Sequence, residues 1–183
     1  MSEAQSAETL QNEGLRLFQE GLYEEAIERF GQAQEKVVAE GKEVEAAEML
    51  NNLGVIYRMT QQWEQAQIAL EEARSAFIRL GDKDREAQAL GNLGGLLASQ
   101  GERLKAQEYL RQAADMFGEV GERQRQGETL MSLALQMWRS GDRRGAMAEY
   151  QTGLYLLENP TTPQKIALWL VKLLNRLVGI NTP

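Results

Sequence analysis

The sequence contains no cysteine and no histidine. That excludes disulfides, Cys/His zinc sites, cysteine nucleophiles and Ser-His-Asp triads together. Proline occurs only at Pro160, Pro163 and Pro183, so the strongest helix breaker is missing from most of the chain. Long apolar runs are missing too: the longest, Ile166 to Val171, is far too short to span a bilayer. Met1 to Gln5 show neither the basic nor the apolar region of a signal peptide, and a cytoplasmic location is expected. Basic residues are in deficit, with a net charge of −7, which disfavours nucleic acid as a partner. The deficit lies in residues 1–81, with 15 acidic and 7 basic side chains, whereas residues 82–183 carry 12 and 13.

What is present is a repeat. At a shift of 40 residues the chain matches itself. Leu10, Leu50, Leu90 and Leu130 form one column, and Gly14, Gly54, Gly94 and Ala134 a second. Ala26, Ala66, Ala106 and Ala146 form a third, then Phe30, Leu70, Leu110 and Tyr150, then Ala33, Ala73, Ala113 and Gly153. Gly41, Gly81 and Gly121 separate the units.

Within a unit the apolar spacing is helical: Leu50, Leu53, Gly54 and Tyr57 share one face, and Ala66, Ala69, Leu70, Ala73 and Phe77 share another after a break near Thr60. Gly21, Gly101 and Gly141 suit C-terminal caps. Each unit therefore reads as two helices of roughly 17 residues, about 26 Å long, antiparallel because the breaks are short. The small columns predict close backbone approach, Gly54 to Ala66 and Gly94 to Ala106. The bulky column fills the space to the next unit. No single hairpin buries its apolar face, so the units must stack.

The pattern Leu50-x-x-Leu53-Gly54-x-x-Tyr57, followed by Ala66-x-x-x-Leu70-x-x-Ala73, resembles the tetratricopeptide signature and recurs through residues 7–157. The period is 40 rather than the usual ~34. The closing proline of the family is replaced by Val38, Ile78, Gly118 and Glu158, which implies longer helices. The turn aromatic is present as Tyr23 and Trp63 but is Arg103 and Arg143 later, with Leu104 as a partial substitute. The form resembles long-repeat members such as kinesin light chains and bacterial peptide-sensing regulators. The resemblance implies an all-α, right-handed solenoid of four antiparallel hairpins, with units at about 1–41, 42–81, 82–121 and 122–158, and residues 159–183 forming a capping helix and tail.

That last helix is expected from Thr162 as N-cap and Pro163 as first residue to about Val178. It carries Ile166, Leu168, Trp169, Leu170, Val171, Leu173, Leu174, Leu177 and Val178, interrupted by Lys165, Lys172, Asn175 and Arg176. It reads as a cap on the last hairpin. Leu168 and Val171 fall off the face set by Ile166, Trp169, Leu170 and Leu173, a surplus that would suit a second copy of the chain, a partner helix or a membrane surface.

If Leu50, Leu53 and Tyr57 face neighbouring helices, another stripe of the first helix faces the groove. It comprises Glu48, Asn52, Val55 and Met59, with equivalents Glu8, Asn12, Leu15 and Gln19; Gln88, Asn92, Gly95 and Ser99; and Glu128, Ser132, Leu135 and Arg139. Phe18, Arg58, Ala98 and Trp138 lie one position along, on the flank. Asn12, Asn52 and Asn92 form a ladder of amides, each both donor and acceptor, able to pair with an extended peptide backbone or simply with neighbouring helices and water. The resemblance implies the former role. Leu15, Phe18, Val55, Met59, Met131, Leu135 and Trp138 would supply apolar pockets or belong to the core. Glu8, Glu48 and Glu128 would favour basic residues at one edge. The resemblance also covers grooves that clamp acidic C-termini with Lys and Arg, which the acidic or neutral positions here do not favour.

A protein or peptide partner is the expectation, with no catalysis, no cofactor and no metal. The paired carboxylates Glu24-Glu25 and Glu71-Glu72 recur as charged-face residues, and no nucleotide loop accompanies them. The alternative is a membrane-peripheral or self-associating scaffold acting through the apolar last helix, including a homodimer.

Overall fold

The computed structural model describes residues 6–178, with side chains in the last helix described as far as 171 and at 173. Expectations about Met1 to Gln5, and about the side chains of Lys172, Leu174, Asn175, Arg176, Leu177 and Val178, lie outside the described residues. The described chain is all helix and turn: α1 (Ala7–Gln19), α2 (Tyr23–Ala39), α3 (Glu43–Met59), α4 (Trp63–Leu80), α5 (Lys83–Ser99), α6 (Arg103–Val120), α7 (Arg123–Ser140), α8 (Arg143–Leu156) and α9 (Thr162–Val178). Consecutive helices pack on one another from α1 to α8, and α3 also touches α5.

The repeat columns acquire physical roles. The alanine column is sealed, with Ala26, Ala66, Ala106 and Ala146 all buried. The glycine column meets the bulky column rather than the alanine side chains. A Cβ on Gly54 would lie 2.5 Å from Leu70 Cγ, and one on Gly94 would lie 2.9 Å from Leu110 Cγ. On Gly14 it would lie 3.1 Å from the Phe30 ring. The expected Gly54–Ala66 backbone approach is present, with the Ala66 carbonyl oxygen at 3.3 Å from a Cβ on Gly54. A second-helix residue four positions later is one turn further along the same face, so it comes under the glycine. The same bulky residues also join each unit to the next. Phe30 clusters with Leu53 and Ile56, Leu70 with Leu93 and Leu96, and Leu110 with Leu130 and Leu133.

The turns show one exception to their pattern. Gly21, Gly101 and Gly141 take positive φ after their first helices, and in the second unit Gln61 does so, with φ 61°. A side chain there strains against its own backbone. Leu104, expected to stand in for the turn aromatic, is 70% exposed and does not.

α9 departs most from expectation. Its first turn is capped one residue earlier, at Thr161, whose amide donates to Gln164 Oε1 at 2.7 Å, half of a capping box. Its apolar faces are exchanged. Leu168 and Val171 are half-buried, whereas Ile166, Trp169, Leu170 and Leu173 are exposed, Trp169 by 61%. The helix has apolar residues around much of its circumference, so the sequence did not determine which stripe would meet α8. Among the described residues no helix is long and apolar enough to cross a membrane.

Gly54→Ala should lower stability by about 1–3 kcal/mol, because the added methyl would lie 2.5 Å from Cγ of the fully buried Leu70. Gln61→Gly should raise it by up to about 1 kcal/mol, by removing left-handed strain. Thermal melting followed by circular dichroism reads both, and opposite signs are expected.

Candidate functional site

Polar links between successive first helices define one face of the array. Arg85 on α5 donates from Nε to Glu48 Oε1 on α3 at 2.6 Å, and Arg125 on α7 donates from Nη1 to Asp84 Oδ1 on α5 at 2.8 Å. Asn92 on α5 donates from Nδ2 to Asn51 Oδ1 on α3 at 2.9 Å. These links join α3 to α5 and α5 to α7 along the first-helix side of the stack.

Along that side, Leu15 and Phe18 of α1, Asn52 and Val55 of α3, and Gln88 and Asn92 of α5 line a cavity of about 140 Å³, floored by Phe30, Asn51 and Ile56. Four amide side chains and five apolar ones thus converge on one small space, with Phe18 and Val55 half-buried in its walls. A second cavity of about 310 Å³ follows, between α5 and α7, with Gln88, Asn92, Arg125, Glu128 and Ser132 in its walls.

The expected site residues divide accordingly. Leu15, Asn52, Val55 and Asn92 come together at the first cavity, and Glu128 joins Asn92 at the second. Asn12 and Glu8 are exposed on α1, outside both. Met59, Leu135 and Trp138 are exposed on the same helices, also outside both, and the Arg143 guanidinium sits 5.5 Å from the centre of the Trp138 ring. The asparagines are not equivalent. Asn92 already holds Asn51, which is 4% exposed and was not part of the expected ladder. The two lie 41 residues apart, one off the repeat, so a column alignment at 40 does not pair them.

The acidic edge is partly neutralised. The Glu48 carboxylate is held by Arg85, and Glu128 Oε1 accepts from Gln124 Nε2 at 2.6 Å. Hydrogen bonds from Arg85 to Glu48 and to Asp82 raise the Arg85 pKa. Burial works to raise the Asp82 carboxyl, but the Arg85 amide and guanidinium outweigh it and hold Asp82 below its ordinary value. Arg58 differs from these residues. It is half-buried, burial pushes its pKa down, and no carboxylate pairs with it among the described residues.

The architecture is that of an all-α repeat solenoid whose first helices share an accessible inner face. Residues 45–119 match the tetratricopeptide repeat family, and the fold is that of a tetratricopeptide-type repeat array. No curated protein matches the sequence. Among solved structures, BtubC (BKLC) from P. vanneervenii is similar at TM-score 0.73 and 22% identity, over 85% of this chain and 67% of that one. Aspartyl phosphate phosphatase F from Bacillus subtilis is similar at TM-score 0.78 and 16% identity, over 82% and 39%. A Rap protein complexed with Competence and Sporulation Factor is similar at TM-score 0.72 and 18% identity, over 82% and 42%. The chain thus spans about two fifths of the length of the last two.

Asn92→Ala should destabilise the protein by about 1–3 kcal/mol, since it leaves the buried Asn51 oxygen without a donor. Asn12→Ala, on an exposed face, should leave the melting temperature unchanged. Equal melting curves for the two variants would contradict the division between structural and accessible asparagines.

Proposed function

We propose that this protein is a non-catalytic adaptor or assembly factor that binds a segment of a partner protein along the inner face of α1, α3 and α5. The observation that carries this reading is the convergence of Leu15, Phe18, Asn52 and Val55 on one cavity. Apolar walls take an anchoring side chain, and the Asn52 amide, without a partner among the described residues, pairs with a peptide backbone on either side of it. The similar Rap protein was solved in complex with Competence and Sporulation Factor, which supports a binding role.

The test is selection from a synthetic library of random dodecapeptides on immobilised full-length protein. Recovered peptides should bind in solution, and Asn52→Ala and Val55→Asp should each weaken them about tenfold or more, the scale of a lost hot-spot contact. Peptides that bind both variants as well as wild type would place recognition elsewhere.

A second reading is favoured by the exposed Ile166, Trp169, Leu170 and Leu173, spaced as one helical stripe. In it, α9 of two copies pack together. Sedimentation should then show a dimer that Trp169→Glu dissociates. A monomer at all concentrations would exclude this arrangement.

A further inference from the structure

Arg58 occupies a place where two repeat columns break their pattern at once. Its own column reads Phe18, Arg58, Ala98 and Trp138, so a cation stands where two other units have an aromatic ring. The column facing it across to α5 reads Leu15, Val55, Gly95 and Leu135, and only the third unit lacks an apolar side chain. The two exceptions touch: a Cβ on Gly95 would lie 3.4 Å from Arg58 Nη1. The guanidinium of α3 therefore lies over bare backbone of α5, in space that a leucine or valine would fill. Gly95 is one helical turn beyond Asn92 and Arg58 one turn beyond Val55, so this seat continues directly from the cavity of about 140 Å³.

Among the described residues no carboxylate pairs with this cation. Arg58 Nε is buried and has no acceptor. Two other arginines have a buried Nε without an acceptor, but both sit beside a carboxylate: Arg29 by Glu13 at 3.3 Å and Arg74 by Glu86 at 3.8 Å. Arg85 and Arg125, on the same inner face, are each held by a carboxylate of the preceding first helix. Arg58 thus loses hydration on folding and gains no counter-charge in the free chain.

We infer that Arg58, seated over Gly95, is the receptor for a carboxylate of the bound segment. A planar guanidinium with its Nη edge free takes a carboxylate through two parallel hydrogen bonds. The surrounding half of the protein has 15 acidic and 7 basic side chains over residues 1–81, a field that opposes a doubly charged phosphate more than a single carboxylate. The inference rests on the peptide-binding reading and adds the chemistry of the ligand: an apolar anchor followed, within about one residue of extended chain, by an Asp, a Glu or the C-terminus.

The experiment uses the dodecapeptide library, each sequence made with free and with amidated C-termini. Binders sensitive to Asn52→Ala should share an acid at one fixed position. Changing that acid to its amide should weaken binding about 10- to 100-fold, the scale of a charge-assisted hydrogen bond. Arg58→Met should weaken it equally, the two changes together should weaken it no further, and Arg58→Lys should recover only part. Loss on C-terminal amidation would identify the terminal carboxylate as the source. Arg58→Met should melt at or above the wild-type temperature, because it removes an unpaired cation, whereas a structural arginine would lower it. Binders sensitive to Asn52→Ala but without a shared acid, or indifferent to Arg58→Met, would overturn the inference and leave the peptide reading standing. The absence of any binder sensitive to Asn52→Ala would overturn both.

Discussion

The array depends on one contact repeated along it: a bulky side chain on the second helix of a hairpin lying against a glycine on the first. Phe30 on Gly14, Leu70 on Gly54 and Leu110 on Gly94 each close a hairpin from within. Each then presents its other side to the first helix of the next unit. Intra-unit and inter-unit packing therefore share the same atoms, so local damage spreads in both directions. The fourth unit solves the problem differently. Its first helix has Ala134 in the glycine column, its bulky residue Tyr150 is only half-buried, and the close approach moves to Gly127 and Gly153. A Cβ on either glycine would lie 2.7 Å from the carbonyl oxygen of the other, so the two backbones are nearly in contact there.

This explains what could be read without coordinates. The hairpins were legible because their packing is a property of columns: a glycine, an alanine and a bulky residue returning every 40 residues leave few other ways to bury the apolar surface. The pairing within those columns was less legible. Gly54 meets the Leu70 side chain as well as the Ala66 backbone, one helical turn away, and that added contact depends on how far the helices slide past each other. α9 was least legible, because it belongs to no column. With apolar residues on several sides, its orientation follows from α8, and the stripe expected to be surplus became the packed one.

The inner face shows the same limit for polar groups. Asn52 and Asn92 occupy equivalent positions in the repeat and were read as equivalent amides. One is accessible and the other is fixed to Asn51, 41 residues away. Arg85 reaches Glu48 over 37 residues and Arg125 reaches Asp84 over 41. Long flexible side chains reach one or more positions along the neighbouring helix, so their partners do not keep the repeat register. Column analysis finds which residues share a face, but not which of them are already engaged there.

That distinction determines the electrostatic character of the groove. By composition the first half is acidic, and a basic ligand is its natural complement. Glu48 is neutralised by Arg85, Glu128 keeps its charge while accepting from Gln124, and the cation at Arg58 has no carboxylate partner among the described residues. Net charge governs long-range approach, which salt screens beyond about 10 Å. What a bound group meets at contact is the residual, unpaired charge in a partly dehydrated setting, where each unit of charge counts for more than in water. On the proposed peptide-binding reading, a face that is negative at a distance and positive at one half-buried point suits a ligand of mixed character, apolar or weakly basic over most of its length with a single acid in register with Arg58. Such a ligand is selected by position rather than by overall charge, which is how a scaffold of near-identical repeats can distinguish among similar segments.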